Sequence, residues 1–236
     1  MTTTLILIHG WGFGAPSCQP LRAALPSGMD VLTPSLPGYG DSPPGDALLQ
    51  LDELIDRYAS VCLVGWSLGG LLAIELAARR PDRVHGLGLV AALPCFNRQP
   101  DWPAGWQPAT LNALRQRLAC EPEAVRDHVA ALSALGDDDR RRLRRFLPQT
   151  ATADAMTLAA GLDELAAADH RARFAALELP VSCWLGDADA LLGGDSAAAV
   201  QRLRPASQVH ELRGCGHAPL VSQPQRIADD IMQELV

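Results

Sequence analysis

Short apolar runs alternate with helix-spaced patterns along most of this chain, and that alternation narrows what it can fold into. "TLILIHG" (Thr4–Gly10), "MDVLTP" (Met29–Pro34), "SVCLVG" (Ser60–Gly65) and "VHGLGLVAA" (Val84–Ala92) each read as a strand. Between them, "LLQLDELIDRYA" (Leu48–Ala59) and "LLAIELAARRPDR" (Leu71–Arg83) repeat their apolar residues at helical spacing, the second stopping near Pro81. Strands that are apolar almost throughout need cover on both faces. Repeated βα units of this kind therefore imply a parallel sheet with helices on either side.

The rhythm breaks after Leu93. The segment "LPCFNRQPDWPAGW" is rich in proline and aromatics, and up to about Leu165 nothing reads as a convincing strand. Helical patterns fill the interval: "EPEAVRDHVAALSAL", "DDDRRRLRRFL" and "TADAMTLAAGLDEL". The alternation then returns with "LPVSCWLG", "DSAAAVQRLRP", "SQVHELRG" and a last helix, "RIADDIMQELV". The expected architecture is an α/β core built from residues 1–93 and 166–236, with a mostly parallel sheet of about six strands. A helical lid, residues 94–165, is inserted into it. The 236 residues suffice for one such domain.

Composition removes several classes of function. The net charge of −7 argues against a nucleic-acid partner. All twenty basic residues are arginine, so there is no lysine for a Schiff base or a phosphate-binding P-loop. The first apolar run, Leu5 to Ile8, is too short for a signal peptide, and no stretch approaches a membrane span. The six cysteines are scattered without a C-x-x-C pair, which points to a reducing, cytoplasmic setting without structural disulfides. No membrane is called for, and a monomer is expected.

Gly65-Trp66-Ser67-Leu68-Gly69 fits G-x-S-x-G at a junction from strand to helix. Such a turn strains its central residue, the flanking glycines keep side chains clear, and the Ser67 hydroxyl stands above the sheet. The backbone N–H groups that follow can face a developing oxyanion. By itself the pentapeptide also fits an ordinary Gly/Ser βα turn or a phosphate loop. Its partners decide, and they should follow in the order acid, then histidine. "WLGDADALL" supplies Asp187 and Asp189 after one strand, and "LRGCGHAPLVSQP" supplies His217 after the last. Both lie at the carboxyl ends of strands, the active edge of a parallel sheet. "HGWG" after the first strand can donate a second oxyanion N–H, from Trp11, while His9 belongs to the turn and reads as structural. His85, His128, His170 and His210 read as surface or core histidines.

These residues resemble the α/β-hydrolase superfamily in "LILIHGWG", "LPGYGDS", "GWSLGG" and "GCGHAP". "HGWG", "GWSLGGLLA", "PCFNRQPDWP" and "AALSALG" are more narrowly similar to the pimeloyl-acyl-carrier-protein methyl ester esterases of biotin synthesis. The resemblance implies a serine carboxylesterase without metal or cofactor, acting on a methyl ester carried by acyl-carrier protein. It matches Ser67 to the nucleophile, His217 to the base and Asp189, rather than Asp187, to the acid. It matches Trp11 and Leu68 to oxyanion and substrate positions. Val129, Ala130, Ala131, Leu132 and Ser133 match a lid stretch that contacts the substrate chain. The family's first two strands have no counterpart here, so one sheet edge needs other cover.

The lid run "DDDRRRLRRF" has acids early and arginines late, which suits a solvated helix and its dipole. Five arginines within six positions cannot all find partners on one turn. Arg141, Arg142 and Arg145 can share a face and dock an acidic carrier. Two other readings stand beside this one. A general carboxylesterase or thioesterase would share the triad, and a non-catalytic ligand receptor on the same scaffold would be expected to lose it. A haloalkane dehalogenase would want an acid where Ser67 stands.

Overall fold

The computed structural model describes residues 3–150, 153–193 and 195–236. Six strands form one sheet: β1 (Thr4–Ile8), β2 (Val31–Leu32), β3 (Val61–Trp66), β4 (Val84–Val90), β5 (Val181–Gly186) and β6 (Gln208–Leu212). Their spatial order is β2-β1-β3-β4-β5-β6, and every pairing is parallel. All residues of β1, β3 and β5 are buried, which requires cover on both faces. Edge strand β6 buries only Leu212.

The core helices are α1 (Gln19–Ala24), α2 (Ala47–Ile55) and α3 (Leu68–Arg79) in the first half. The insertion between β4 and β5 holds α4 (Pro108–Leu118), α5 (Pro122–Ser133), α6 (Arg140–Phe146), α7 (Ala155–Ala167) and α8 (Arg171–Ala175). The chain ends with α9 (Ser196–Leu203), α10 (Pro219–Ser222) and α11 (Pro224–Glu234). Helix α1 packs with α10 and α11, while α2 and α8 pack on α3. Helices α4 and α7 pack on each other.

Local chemistry sets several boundaries. Asp46 accepts the N–H groups of Leu48 and Leu49 at 2.8 and 3.0 Å, which starts α2 at Ala47. Helix α3 begins at Leu68, three residues before the spacing suggests, because Gly69 and Gly70 are poor helix formers yet are needed for close packing. Strand β2 is shorter than "MDVLTP" suggests. It has one neighbour, β1, and Pro34 has no N–H to extend a ladder. A two-residue edge strand offers little unpaired backbone. Helix α4, which the sequence reading does not single out, buries Leu111, Leu114 and Leu118. Buried Glu75 of α3 pairs with Arg79 (2.7 Å) and with Arg173 of α8 (3.0 Å), tying the end of the insertion to the core. Among the described residues no helix is long and apolar enough to cross a membrane.

Candidate active site

Ser67 is the single residue between β3 and α3. Its backbone takes φ 54° and ψ −116°, a conformation that side chains adopt only under constraint. The flanking glycines are explained by close approach. A Cβ on Gly65 would lie 2.3 Å from the Gly69 carbonyl oxygen, and one on Gly69 would lie 2.4 Å from that of Ile8. The elbow is thus wedged between its own helix and β1.

His217 comes from the loop after β6 and Asp189 from the loop after β5. His217 Nδ1 lies 2.7 Å from Asp189 Oδ2, and His217 Nε2 lies 3.0 Å from Ser67 Oγ. A carboxylate only accepts, so Nδ1 carries the proton and Nε2 accepts from the serine hydroxyl. The other Asp189 oxygen accepts the N–H groups of Leu191 (2.8 Å) and Leu192 (3.1 Å), which orients the carboxylate. Asp187 is exposed, and among the described residues its carboxylate meets only the Cys215 N–H, at 3.4 Å. Of the two acids that the loop offers, Asp189 is the one that reaches the histidine.

Trp66, the residue before the serine, donates its indole N–H to the His217 carbonyl at 2.7 Å and stacks on Phe13 at 5.0 Å. That indole anchor was not legible in the sequence; the only signal was a large aromatic inside the G-x-S-x-G pattern. The Trp11 indole donates to Leu158 O of α7 at 2.7 Å. No acceptor among the described residues takes the backbone N–H of Trp11 or of Leu68. Both donors are therefore free for an oxyanion.

Ser67 and His217 line a small, mainly apolar cavity of about 20 Å³. Trp11 and Phe13 wall it from the core, and Phe96, Trp106 and Leu162 wall it from the insertion. Of the stretch 129–133, Val129 and Ser133 line this cavity, while Ala130, Ala131 and Leu132 do not. The Leu68 side chain faces a separate groove beside α7, with Leu36 and Tyr39. Arg141, Arg142 and Arg145 are exposed on α6 and lie outside the cavity. Arg142 pairs with Asp139 at 3.4 Å; among the described residues Arg141 and Arg145 have no carboxylate partner.

The remaining titratable clusters are already engaged. His9 is buried, accepts the Leu36 N–H on Nε2 at 3.0 Å, and has Nδ1 3.1 Å from Gly10 O. Burial pushes its imidazole down to about 4. Ligand atoms of His210, Asp230 and Glu234 lie within 4.8 Å of one another. Asp230 accepts from Trp184 (3.0 Å) and Arg226 (2.9 Å), and Glu234 accepts from Ser182 (2.7 Å). All six cysteines are free thiols.

A parallel sheet carrying a serine elbow, with acid and histidine at the ends of later strands, defines a hydrolase scaffold. A model of the alpha/beta hydrolase family matches residues 5–230, and the chain belongs to that family. It is similar to a protein of Aromatoleum aromaticum named pimeloyl-[acyl-carrier protein] methyl ester esterase, at 37% identity over 95% of this chain and 94% of that one. A protein of the same name from Aeromonas hydrophila is 35% identical, over 96% of this chain and 93% of the relative. Among solved structures, an esterase from Exiguobacterium antarcticum superposes with a TM-score of 0.88 over 98% of this chain and 91% of that one. At 16% identity, that likeness concerns the fold alone.

Proposed function

We propose that the protein is a serine carboxylesterase that hydrolyses the methyl ester of pimeloyl-acyl-carrier protein, a step of biotin biosynthesis. The observation that carries the chemistry is the unbroken hydrogen-bonded line from Ser67 Oγ through His217 to Asp189. The substrate rests on the relatives, which align over nearly all of both chains.

His217 Nε2 takes the Ser67 proton as Oγ attacks the ester carbonyl. Asp189 holds the ring orientation and stabilises the imidazolium. The Trp11 and Leu68 N–H groups receive the oxyanion; losing one such donor typically costs about 100- to 1,000-fold. His217 returns its proton to the departing methoxide, and methanol leaves. Water, deprotonated by His217, then attacks the acyl-enzyme; the bond to Ser67 Oγ breaks and the serine regains its proton. The mainly apolar lining matches the methylene chain of the acyl group in chemistry, not in volume. On this reading residues 94–165 act as a lid over the site. The enzyme works in the cytoplasm as a monomer without cofactor, and it meets the acidic carrier through Arg141, Arg142 and Arg145.

The test compares methyl pimeloyl-carrier with a small water-soluble ester. A fluorophosphonate should label Ser67, and Ser67→Ala should be inactive on both substrates. Replacing the three arginines by Ala should raise KM for the carrier-linked ester roughly tenfold, more at low salt, and leave the small ester unchanged. Preference for the small ester in the wild type would favour a general esterase instead.

A further inference from the structure

We propose that Asp137, in the turn between α5 and α6, is a positioning residue that keeps the His217 loop in register with Ser67. The inference rests on the triad reading above and adds a residue to it. Asp137 is only 5% exposed, and its carboxylate meets two backbone N–H groups and lies beside the Cys215 thiol. Oδ1 accepts from the Asp139 N–H at 2.8 Å, an Asx turn that leads into α6. Such a turn needs one oxygen and no burial. The second oxygen has a different task. Oδ2 accepts the N–H of Gly216 at 2.9 Å, 79 residues away in sequence and one residue before His217.

Two backbone bonds join the same two segments. His217 N–H donates to Ser133 O at 3.0 Å, and Asp138 N–H donates to Gly214 O at 2.9 Å. The contact is close: a Cβ on Gly216 would lie 2.9 Å from Ser133 O. The same turn presses on the loop of the acid. Gly136 has φ +81°, and a Cβ there would lie 2.6 Å from Ala188 O, beside Asp189. Residues 133–138 therefore lie against both loops that must meet at the serine. Among these hydrogen bonds, only that of Asp137 Oδ2 runs through a side chain, so it can be removed by substitution. Without it the Gly216 N–H is left buried and unpaired, and the loop can relax away. A displacement of about 1 Å at reacting groups costs on the order of 100-fold in rate.

The experiment measures turnover of a small ester per active site, with sites counted by fluorophosphonate titration run to completion. Asp137→Ala should lower kcat per titrated site by about 10- to 100-fold. Its KM should stay within about threefold, because the cavity walls are untouched. Asp137→Asn keeps one acceptor oxygen and should fall between the wild type and Ala; it carries the test if the alanine variant yields no titratable sites. Arg144→Ala, exposed on α6, should match the wild type. A purely structural role would reduce the number of sites and leave turnover per site unchanged. That result, or wild-type turnover per site in Asp137→Ala while Ser67→Ala is inactive, overturns the proposal. An active Ser67→Ala would instead sink the triad reading itself.

Discussion

Two buried histidines leave the carboxyl ends of parallel strands, His9 after β1 and His217 after β6, and their surroundings differ in every respect that matters to chemistry. His217 has a carboxylate behind it and a hydroxyl in front. His9 has a backbone carbonyl on one nitrogen and a backbone N–H on the other, with the edge of Tyr39 packed against its ring at 4.6 Å. Tyr39 in turn accepts the Gly12 N–H at 3.1 Å, so His9 is part of the scaffold that shapes the loop of Trp11. Burial by itself disfavours the charged ring. A base that must hold a proton during catalysis needs a partner for the charge, and only His217 has one.

The contrast breaks first on activity. His217→Ala should lower kcat by about 10^6-fold, the scale seen when a triad histidine is removed. His9→Gln, which keeps an acceptor for the Leu36 N–H, should retain turnover per titrated site within about tenfold and lose stability instead. Similar losses of turnover in both variants would mean that the division between the two histidines is wrong.

The carboxylate behind the ring is the next point of attack. Asp189→Asn should cost about 10^4-fold in kcat, because the ring loses its orientation and tautomer. Asp187→Asn should cost less than about threefold, since that side chain is exposed and does not reach the ring. Reversed effects on kcat would transfer the role to Asp187.

The smallest effect is thermodynamic and belongs to His9. Its folded value of about 4 lies below the ordinary 6.5, so between those limits the unfolded chain binds more protons. The stability that the neutral ring contributes is therefore present above pH 6.5 and lost as pH falls toward 4, about 3 kcal/mol in all. Denaturant midpoints measured across that window should drop in the wild type and drop less in His9→Gln. Equal slopes would show that other groups govern the acid limb.

Much of this was open to a reader of the sequence. Apolar runs mark the strands because a strand covered on both faces is mostly apolar and admits a polar side chain only where it is paired, as Ser182 is with Glu234. The elbow is legible because its glycines recur at fixed positions in five residues, Gly65 to clear its own helix and Gly69 to clear β1. Boundaries were harder where two demands compete, as in Gly69-Gly70, where weak helix propensity hides the first turn of α3. The insertion was legible as helices but not as a wall. Nothing local says that Phe96, Trp106 and Leu162 face one cavity, or that Ala130, Ala131 and Leu132 do not.

What the sequence alone determined is the chemistry on offer: a serine at a strained turn, acids and a histidine after later strands, and an order consistent with one edge of a parallel sheet. Each of these follows from interactions within a few residues or from a periodicity. Only the tertiary structure decided which groups meet. Asp189, the acid that the resemblance but no local pattern implies over Asp187, reaches a histidine 28 residues away, that histidine reaches a serine 150 residues away, and Asp137 reaches across 79 residues to the loop between them. Such contacts depend on how loops from different strands are stacked at one sheet edge. A loop that advances by a single residue turns a different side chain inward, and no local rule in the sequence records which one.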